Sequence, residues 1–243
     1  MFDGGVAGVS QSTALRLRSG SAVQSRHCTP APTGALRRHL LGSALAALLL
    51  WHPAGFAGVY DDILSFADNG RTSDVRDLVS RGMDINTTDS VGSTLLTIAA
   101  RGGHAATIEF LLQNRAKVGK RNRYGDTALH LAASQGHLDC VAILLAAGSE
   151  VDTSGWTPLH YAAYAGHTEV VELLIAKGAK LDLRAPNGRT ALMLAAQNDH
   201  APVSLALRRA GADTELLDYD GKTAEVILAE VGKSPLVRPS KSP

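Results

Sequence analysis

The chain has 243 residues, of which 45% are hydrophobic and only 5% aromatic, and its formal net charge at pH 7 is +1. This balance gives no global field that favours nucleic acid, and the few aromatics predict a core of small and aliphatic side chains. There are two cysteines, Cys28 and Cys140. They are too few for a disulfide framework, so nothing in the main part of the chain depends on an oxidising compartment.

The first 57 residues differ in charge from the rest of the chain. They carry five arginines and one acidic residue, whereas the remainder has a net charge of −3. A basic cluster at 37–39 precedes the apolar run 40–51, and small residues follow as far as Ala57. This order is typical of a secretory signal with its cleavage site. We therefore predict a signal peptide near residues 35–57 and export from the cytoplasm.

Three properties of this leader stay open. Its apolar run is shorter than the roughly 20 residues that span a bilayer, but the segment could stay attached as an anchor instead of being cleaved. The paired arginines at 37–38 resemble a twin-arginine export signal, although the flanking polar residue is missing, so either export route is open. Residues 1–34 are rich in Ser, Gly, Ala and Pro. They form a long disordered extension or follow from a start site assigned too early.

Two later stretches repeat the same order of residue types. GDTALHLAASQGHLDCVAILLAAGS begins at Gly125, and GWTPLHYAAYAGHTEVVELLIAKGA begins at Gly155. A reaction centre is seldom written twice, whereas a structural unit often is. The equivalent turn glycines are spaced by 33, 30, 33 and 33 residues, which indicates a helical solenoid. These glycines are Gly92, Gly125, Gly155, Gly188 and Gly221.

Each residue type in the unit has a local physical reason. Thr157 is a good helix N-cap, and Pro158 occupies the first helical position, where its missing N–H costs nothing. Gly166 is suited to end that helix in a left-handed conformation. Residues 170–174 then supply the apolar stripe of a second helix, which Gly178 ends. The unit is therefore predicted to be two short helices that stack on those of the next unit.

These stretches resemble ankyrin repeats almost residue for residue, over roughly residues 58–231. The resemblance implies an all-α ankyrin-repeat solenoid of stacked helix-turn-helix units with short β-hairpin loops. We predict four clear repeats between a degenerate cap and a closing unit. The predicted boundaries are 1–57 (disordered leader and signal peptide), 58–88 (N-terminal capping repeat), 89–121, 122–151 (repeat with a shortened hairpin), 152–184, 185–217, 218–231 (C-terminal capping unit) and 232–243 (disordered tail).

Three departures from the regular pattern have structural consequences. The spacing of 30 means that three residues are missing between Gly148 and Gly155, so this hairpin should be stunted and leave a notch. Arg115 and Asp199 stand where glycine is usual. A left-handed residue other than glycine costs roughly 1 kcal/mol, so the turn at Arg115 is expected to be strained or built differently.

The recurring histidines could suggest a metal site. Zinc needs three or four ligands within ~2.1 Å of one point, whereas residues repeated once per unit form a ladder spaced by ~10 Å. We predict instead that His130 and His160 hydrogen-bond backbone between units, with no metal and no cofactor. The other recurring histidines are His104, His137, His167 and His200, which lie near the turns between helices.

The sequence also lacks the patterns of common catalytic sites. It has neither a GxSxG nucleophile elbow nor a GxxxxGK[ST] phosphate loop. Cys140 replaces an apolar residue of a second-helix stripe, which predicts a buried small side chain and not a reactive thiol. We therefore predict no catalytic residues and no enzymatic activity.

The resemblance implies that hairpin tips and the outer ends of the first helices line a concave groove that holds a partner. Arg, Trp and Tyr, the types enriched at binding hot spots, are frequent there, and the arginines would suit a partner with an acidic surface. The alternative is that the arginines only solvate the surface and that Trp156 packs on its own hairpin. The predicted contact residues are Arg101, Arg121, Arg123, Tyr124, Gln135, Trp156, Tyr164, Arg184, Arg189, Gln197 and Tyr219.

The sequence thus predicts a non-enzymatic protein-binding module. Its signal segment makes it resemble exported, periplasmic bacterial ankyrin proteins, some of which are associated with oxidative-stress defence. The alternative is a secreted effector or a protein that neutralises a toxin. We expect a monomer that binds another protein, does not bind nucleic acid, and has no stable membrane insertion after signal cleavage. The identity of the partner is not encoded in one sequence.

Overall fold

The computed structural model describes residues 53–231, with side chains from residue 58 onward. Eleven helices lie in this part of the chain and alternate between two rows. The first row comprises α1 (Pro53–Asp68), α3 (Leu95–Arg101), α5 (Ala128–Gln135), α7 (Pro158–Ala165), α9 (Ala191–Gln197) and α11 (Ala224–Glu230). The second row comprises α2 (Thr72–Ser80), α4 (Ala105–Gln113), α6 (Leu138–Ala146), α8 (Thr168–Ala176) and α10 (Ala201–Arg209).

Each helix packs on the next helix of its own row and on its partner in the other row. Among the described residues the predicted all-α solenoid is therefore confirmed. The predicted disordered tail at 232–243 lies outside the described residues, as does the predicted leader up to residue 52. Helix α1 begins at Pro53, four residues before the cleavage site predicted near Ala57.

The first-row helices from α3 onward each follow a threonine N-cap and pack through alanine and leucine. The hydroxyl oxygens of Thr94, Thr157 and Thr190 each accept the N–H of the residue three positions on, as expected of N-caps. Small side chains let neighbouring helices approach closely, and a buried alanine pair recurs in each repeat. These pairs are 99–100, 132–133, 162–163 and 195–196.

Four second-row helices, α4, α6, α8 and α10, follow an N-cap histidine that joins one unit to the preceding one. His167 donates its Nε2–H to the carbonyl oxygen of Ser134, 3.0 Å away. Its ring lies against Gly136, where a Cβ would approach the imidazole to 2.4 Å. Glycine is therefore required here by close packing as well as by its φ of 77°. His104, His137 and His200 make the equivalent contacts.

Two helix ends carry a left-handed residue that is not glycine. Arg115 has φ = 65° at a position where Gly82, Gly148 and Gly178 adopt φ between 84° and 99°. Asp199 has φ = 58° where the preceding units have glycine. The turn at Arg115 is thus built in the same way as its neighbours, at the cost expected for a side chain in the left-handed region.

The units are joined by five segments that we call arms. Arm 1 is residues 86–93, arm 2 is 119–126, arm 3 is 152–156, arm 4 is 182–189 and arm 5 is 215–222. Arms 1, 2, 4 and 5 are each closed by a backbone hydrogen bond of 2.9–3.0 Å across the turn. The predicted β-hairpins are wrong in detail, because the described residues contain one isolated bridge, Thr88 to Thr94, and no strand. Each turn leads directly into a helix N-cap, so no length remains for a strand ladder.

Arm 3 is three residues shorter than the others, and the structure locates the missing residues. Asp152 accepts the N–H of Lys180 through Oδ1 at 3.0 Å. Asp182 makes the same contact with the N–H of Asp213 at 3.0 Å. Asp182 lies six residues before Gly188 of its arm, whereas Asp152 lies only three residues before Gly155. The three missing residues therefore lie between Asp152 and Gly155, and arm 3 lacks the backbone hydrogen bond that closes the turn in the other arms.

Candidate partner-binding face

The predicted contact residues lie on the arms and on the C-terminal halves of the first-row helices. We call the surface formed by these two parts the arm face. Tyr124 and Tyr219 are 76% and 73% exposed, and Tyr164 is 48% exposed. Trp156, Arg189 and Gln197 are partly buried. The remaining members are exposed, namely Arg101, Arg121, Arg123, Gln135 and Arg184.

An aromatic cluster surrounds the shortened arm. The ring of Trp156 lies 5.4 Å from that of Tyr161 and 5.9 Å from that of Tyr164, centre to centre. His160 adds an edge-on contact with Trp156 at 6.1 Å. Trp156 is thus held by side chains of α7 and not only by its own arm. A rigid, half-exposed aromatic cluster of this kind is a suitable anchor for a partner side chain.

Tyr161, which the sequence did not single out, links this cluster to arm 2. Its hydroxyl donates a 2.8 Å hydrogen bond to Oδ1 of Asp126. Burial, together with this carboxylate, raises the pKa of Tyr161, so the phenol stays protonated as the donor. Leucine occupies the equivalent position of α5 and α9, at Leu131 and Leu194. A tyrosine hydroxyl at a position where α5 and α9 have leucine is the sequence signal that could have identified Tyr161.

Arg189 is committed to contacts within the protein. Its guanidinium lies 3.3 Å from Oδ2 of the buried Asp218 and 2.5 Å from Oε1 of Gln197. Burial opposes ionisation of Asp218, but the N–H groups of Lys222 and Asp220 and the guanidinium of Arg189 outweigh it and lower its pKa. Arg189 therefore connects arm 4 to arm 5 and is a stabilising residue, whatever else it contacts.

The other arginines differ in how far they are already bound. Arg101 forms an exposed ion pair with Asp68 at 2.8 Å. Arg121 donates to the carbonyl oxygen of Gly125 in its own arm at 3.0 Å, and Arg184 donates to the carbonyl oxygen of Leu217 in arm 5. Within the described part of the chain, Arg123 is exposed and its side chain has no hydrogen bond or ion pair.

His130 and His160 connect successive units, which confirms their predicted structural role. Nδ1 of His160 accepts the N–H of Thr157 at 3.1 Å, so its Nε2–H is free to donate to the carbonyl oxygen of Leu183 at 2.9 Å. Burial lowers the pKa of His160, because the charged imidazolium loses its hydration. The neutral tautomer is the form that this network requires.

His130 makes the same connection to the shortened arm by a different acceptor. The hydroxyl oxygen of Thr153 lies 2.8 Å from Nε2 of His130, where His160 has the carbonyl oxygen of Leu183 as its partner. The carbonyl oxygen of Trp156 lies 3.0 Å from the same nitrogen. Burial lowers the pKa of His130 to about 4.

The remaining chemistry-bearing groups have structural surroundings. Cys140 is buried, and burial raises the pKa of its thiol to about 11, as expected for the apolar position predicted from the sequence. Residues 53–231 contain no group of three or more His, Cys, Asp or Glu side chains arranged to hold a metal ion. Over the same residues, no helix has the length and apolar character needed to cross a membrane.

Comparison with known proteins identifies the repeat pattern. A family model described as "Ankyrin repeats (3 copies)" matches residues 64–154 and 146–218. Together these matches cover α2 to α10 and arms 1 to 4. A search of curated proteins finds no match. The comparison therefore identifies the architecture but no individual relative.

Proposed function

Because the chain belongs to the ankyrin-repeat family, we propose that it is a non-enzymatic scaffold that holds a protein partner on the arm face. Ankyrin repeats are a protein–protein interaction fold, and the family is typically non-enzymatic. The partner presents an acidic surface to this face. The scaffold works as a monomer and uses no cofactor.

The observation that supports this proposal best is the row of exposed tyrosines on one face beside an unpaired arginine. Tyr124, Tyr164 and Tyr219 expose between 48% and 76% of their surface. Large exposed aromatics of this kind are enriched at interfaces, where they add contact area at a small cost in side-chain entropy. Arg123 lies beside Tyr124 and is available to pair with a carboxylate.

The test is a comparison of partner capture between matched charge variants. Arg123→Glu combined with Arg121→Glu should reduce the recovery of specific partners from a periplasmic extract at least tenfold, with little change in the melting temperature. Arg209→Glu, an exposed change on second-row helix α10, is the control and should leave capture unaltered. Arg189 is unsuitable for this purpose, because a carboxylate there would face Asp218. Undiminished capture by the double variant would contradict the assignment of the arm face.

We also propose that the protein acts in the periplasm, on the basis of the signal-like segment. Cleavage near Ala57 would leave the buried residues Ile63 and Ala67 of α1 in place, so the core of the first helix pair would be kept. Cell fractionation tests the location. Recovery outside the cell would favour the alternative of a secreted effector or a toxin-neutralising protein. A role in oxidative-stress defence would require that deletion of the gene sensitises cells to peroxide.

A further inference from the structure

The arms are tied together at both ends of the row. The backbone N–H of Arg123 in arm 2 donates to the carbonyl oxygen of Val91 in arm 1 at 3.0 Å. At the other end, Arg184 of arm 4 donates to a carbonyl oxygen of arm 5, and the ring of Tyr219 covers Gly188. A Cβ on Gly188 would come within 2.6 Å of that ring. Arms 1 and 2 form one joined pair, and arms 4 and 5 form another.

Arm 3 is too short to join either pair. A Cβ placed on Gly92 would meet the backbone of Asn122 in the next arm at 3.8 Å, whereas one placed on Gly125 or Gly155 would meet nothing within 4 Å. Open space therefore lies on both sides of the arm 3 tip. Successive units are ~10 Å apart, so the missing tip leaves room for one extended chain. We call this space between arms 2 and 4 the notch.

The base of the notch is aromatic. Trp156 follows the tip glycine of arm 3, and its ring packs edge-on against Tyr164, which is 48% exposed. Tyr161 holds Trp156 from below through its ring and is itself fixed by its bond to Asp126. This arrangement presents a rigid π surface, suited to an aromatic or large aliphatic side chain.

The charges around the notch are unbalanced toward cations. Arms 2 to 4 carry three carboxylates, and each accepts a hydrogen bond: Asp126 from Tyr161, Asp152 from the N–H of Lys180, and Asp182 from the N–H of Asp213. Glu150, just before arm 3, is exposed, and its side chain makes no hydrogen bond or ion pair within the described part of the chain. The cations of arms 2 to 4 are Lys120, Arg121, Arg123, Arg184 and Arg189, and of these Arg189 is paired with Asp218 of arm 5.

We propose that the notch receives a single extended, acidic segment of the partner protein. One aromatic or large aliphatic side chain of that segment packs on Trp156 and Tyr164, and carboxylates on either side pair with Arg121 and Arg123. This inference rests on the proposed function, because it specifies how the arm face binds its partner. It differs from general groove binding in depending on the three missing residues.

The test restores the missing tip. Insertion of Leu-Gln-Ala between Asp152 and Thr153 gives arm 3 the length and register of arm 4, where residues 183–185 occupy this place. The control carries the same three residues between Ala210 and Gly211, two exposed residues at the end of second-row helix α10 and away from the arm face. Three fluorescein-labelled peptides serve as probes for the full-length chain, with the cores Glu-Asp-Phe-Glu-Asp, Glu-Asp-Ser-Glu-Asp and Lys-Arg-Phe-Lys-Arg. Fluorescence anisotropy measures their dissociation constants.

The acidic peptide with phenylalanine should bind at least tenfold more tightly than the other two. The arm 3 insertion should weaken its binding at least tenfold, and the insertion after α10 should leave it within twofold. If the insertion in arm 3 lowers the melting temperature markedly, Tyr164→Ala decides instead and should also weaken binding at least tenfold. Equal binding of the three peptides, or binding that survives both changes, would overturn the proposal.

Partner capture separates this proposal from the broader one. Suppose that the chain with arm 3 restored still captures the partner, whereas the variant with Arg121 and Arg123 reversed does not. This result would overturn the proposal that the notch binds the partner, but it would support the proposal that the arm face does. Failure of the unmodified chain to capture any specific protein would overturn the proposed function. The peptide measurements would then decide the notch independently.

Discussion

Lowering the pH from 7 to 4 should destabilise the fold through the buried histidines, and His130 allows the size of the effect to be estimated. Its Nδ1 accepts the N–H of Thr127, and its Nε2–H donates to Thr153 and Trp156. Protonation of Nδ1 would turn this acceptor into a donor facing another donor. It would also place a charge on a side chain that is 1% exposed. Both effects disfavour the imidazolium in the folded state.

The sign and magnitude follow from the two pKa values. The pKa of His130 is 6.5 when unperturbed and about 4 in the folded protein, so between these values the unfolded chain binds more protons. Stability is therefore complete above pH 6.5 and is lost progressively as the pH falls to about 4. At 1.36 kcal/mol per pKa unit, His130 alone accounts for about 3 kcal/mol. The lowered pKa of His160 adds a loss of stability over the same direction of pH change. The pKa of Asp218 is lowered from that of an ordinary carboxyl, so the stability that Asp218 contributes is lost at a lower pH than that of His130.

Urea unfolding of the full-length chain at pH values from 4 to 7.5 measures this dependence. His130→Leu should be less stable at pH 7 by about 1–3 kcal/mol, because polar partners are left unsatisfied. Its free energy of unfolding should nevertheless change less with pH than that of the wild type. Val141→Ala removes buried methyl groups but no titratable group, so this control should keep the wild-type pH dependence. Equal pH dependence in the wild type and His130→Leu would refute the reasoning.

Three further outcomes are expected. Leu144→Ala, at a fully buried position of α6, should lower the free energy of unfolding by ~2–5 kcal/mol in urea titrations, and wild-type stability would contradict its burial. Arg115→Gly should raise stability by ~1 kcal/mol by relieving the left-handed side chain, whereas the matched change Gly148→Arg should lower it, and a loss on Arg115→Gly would contradict the assigned strain. Cys140 should react with a thiol reagent at pH 8 only after unfolding in urea, since it is buried with a pKa of about 11; rapid labelling of the folded chain would show that it is accessible.

Much of the fold follows from local sequence signals. The positions of Thr157, Pro158, Gly166 and Gly178 predict where each helix begins and ends, and the structure places α7 and α8 between those residues. These signals work because N-caps, proline and left-handed glycine act within a few residues of chain. The repeat supplies the rest, because a unit that cannot bury its own apolar face must stack on a copy of itself.

The candidate site depended more on tertiary structure. The sequence grouped Arg123 with Arg189, because both match positions that line the groove in ankyrin repeats. Their environments differ in the structure, where Arg189 pairs with Asp218, 29 residues away, and Arg123 has no such partner among the described side chains. Sequence position within a repeat predicts which face a side chain lies on. It does not predict whether the next unit supplies a counter-charge, because successive units differ in sequence.

The sequence by itself determined the repeat, its helices and the shortened arm. Each of these follows from short-range rules or from simple spacing. Only the tertiary structure decided that the hydroxyl of Thr153 is a partner of His130, that Tyr161 holds Trp156 against Asp126, and that open space lies beside Gly125 and Gly155. Those facts depend on distances between groups in different units, and such distances are fixed when the units pack together.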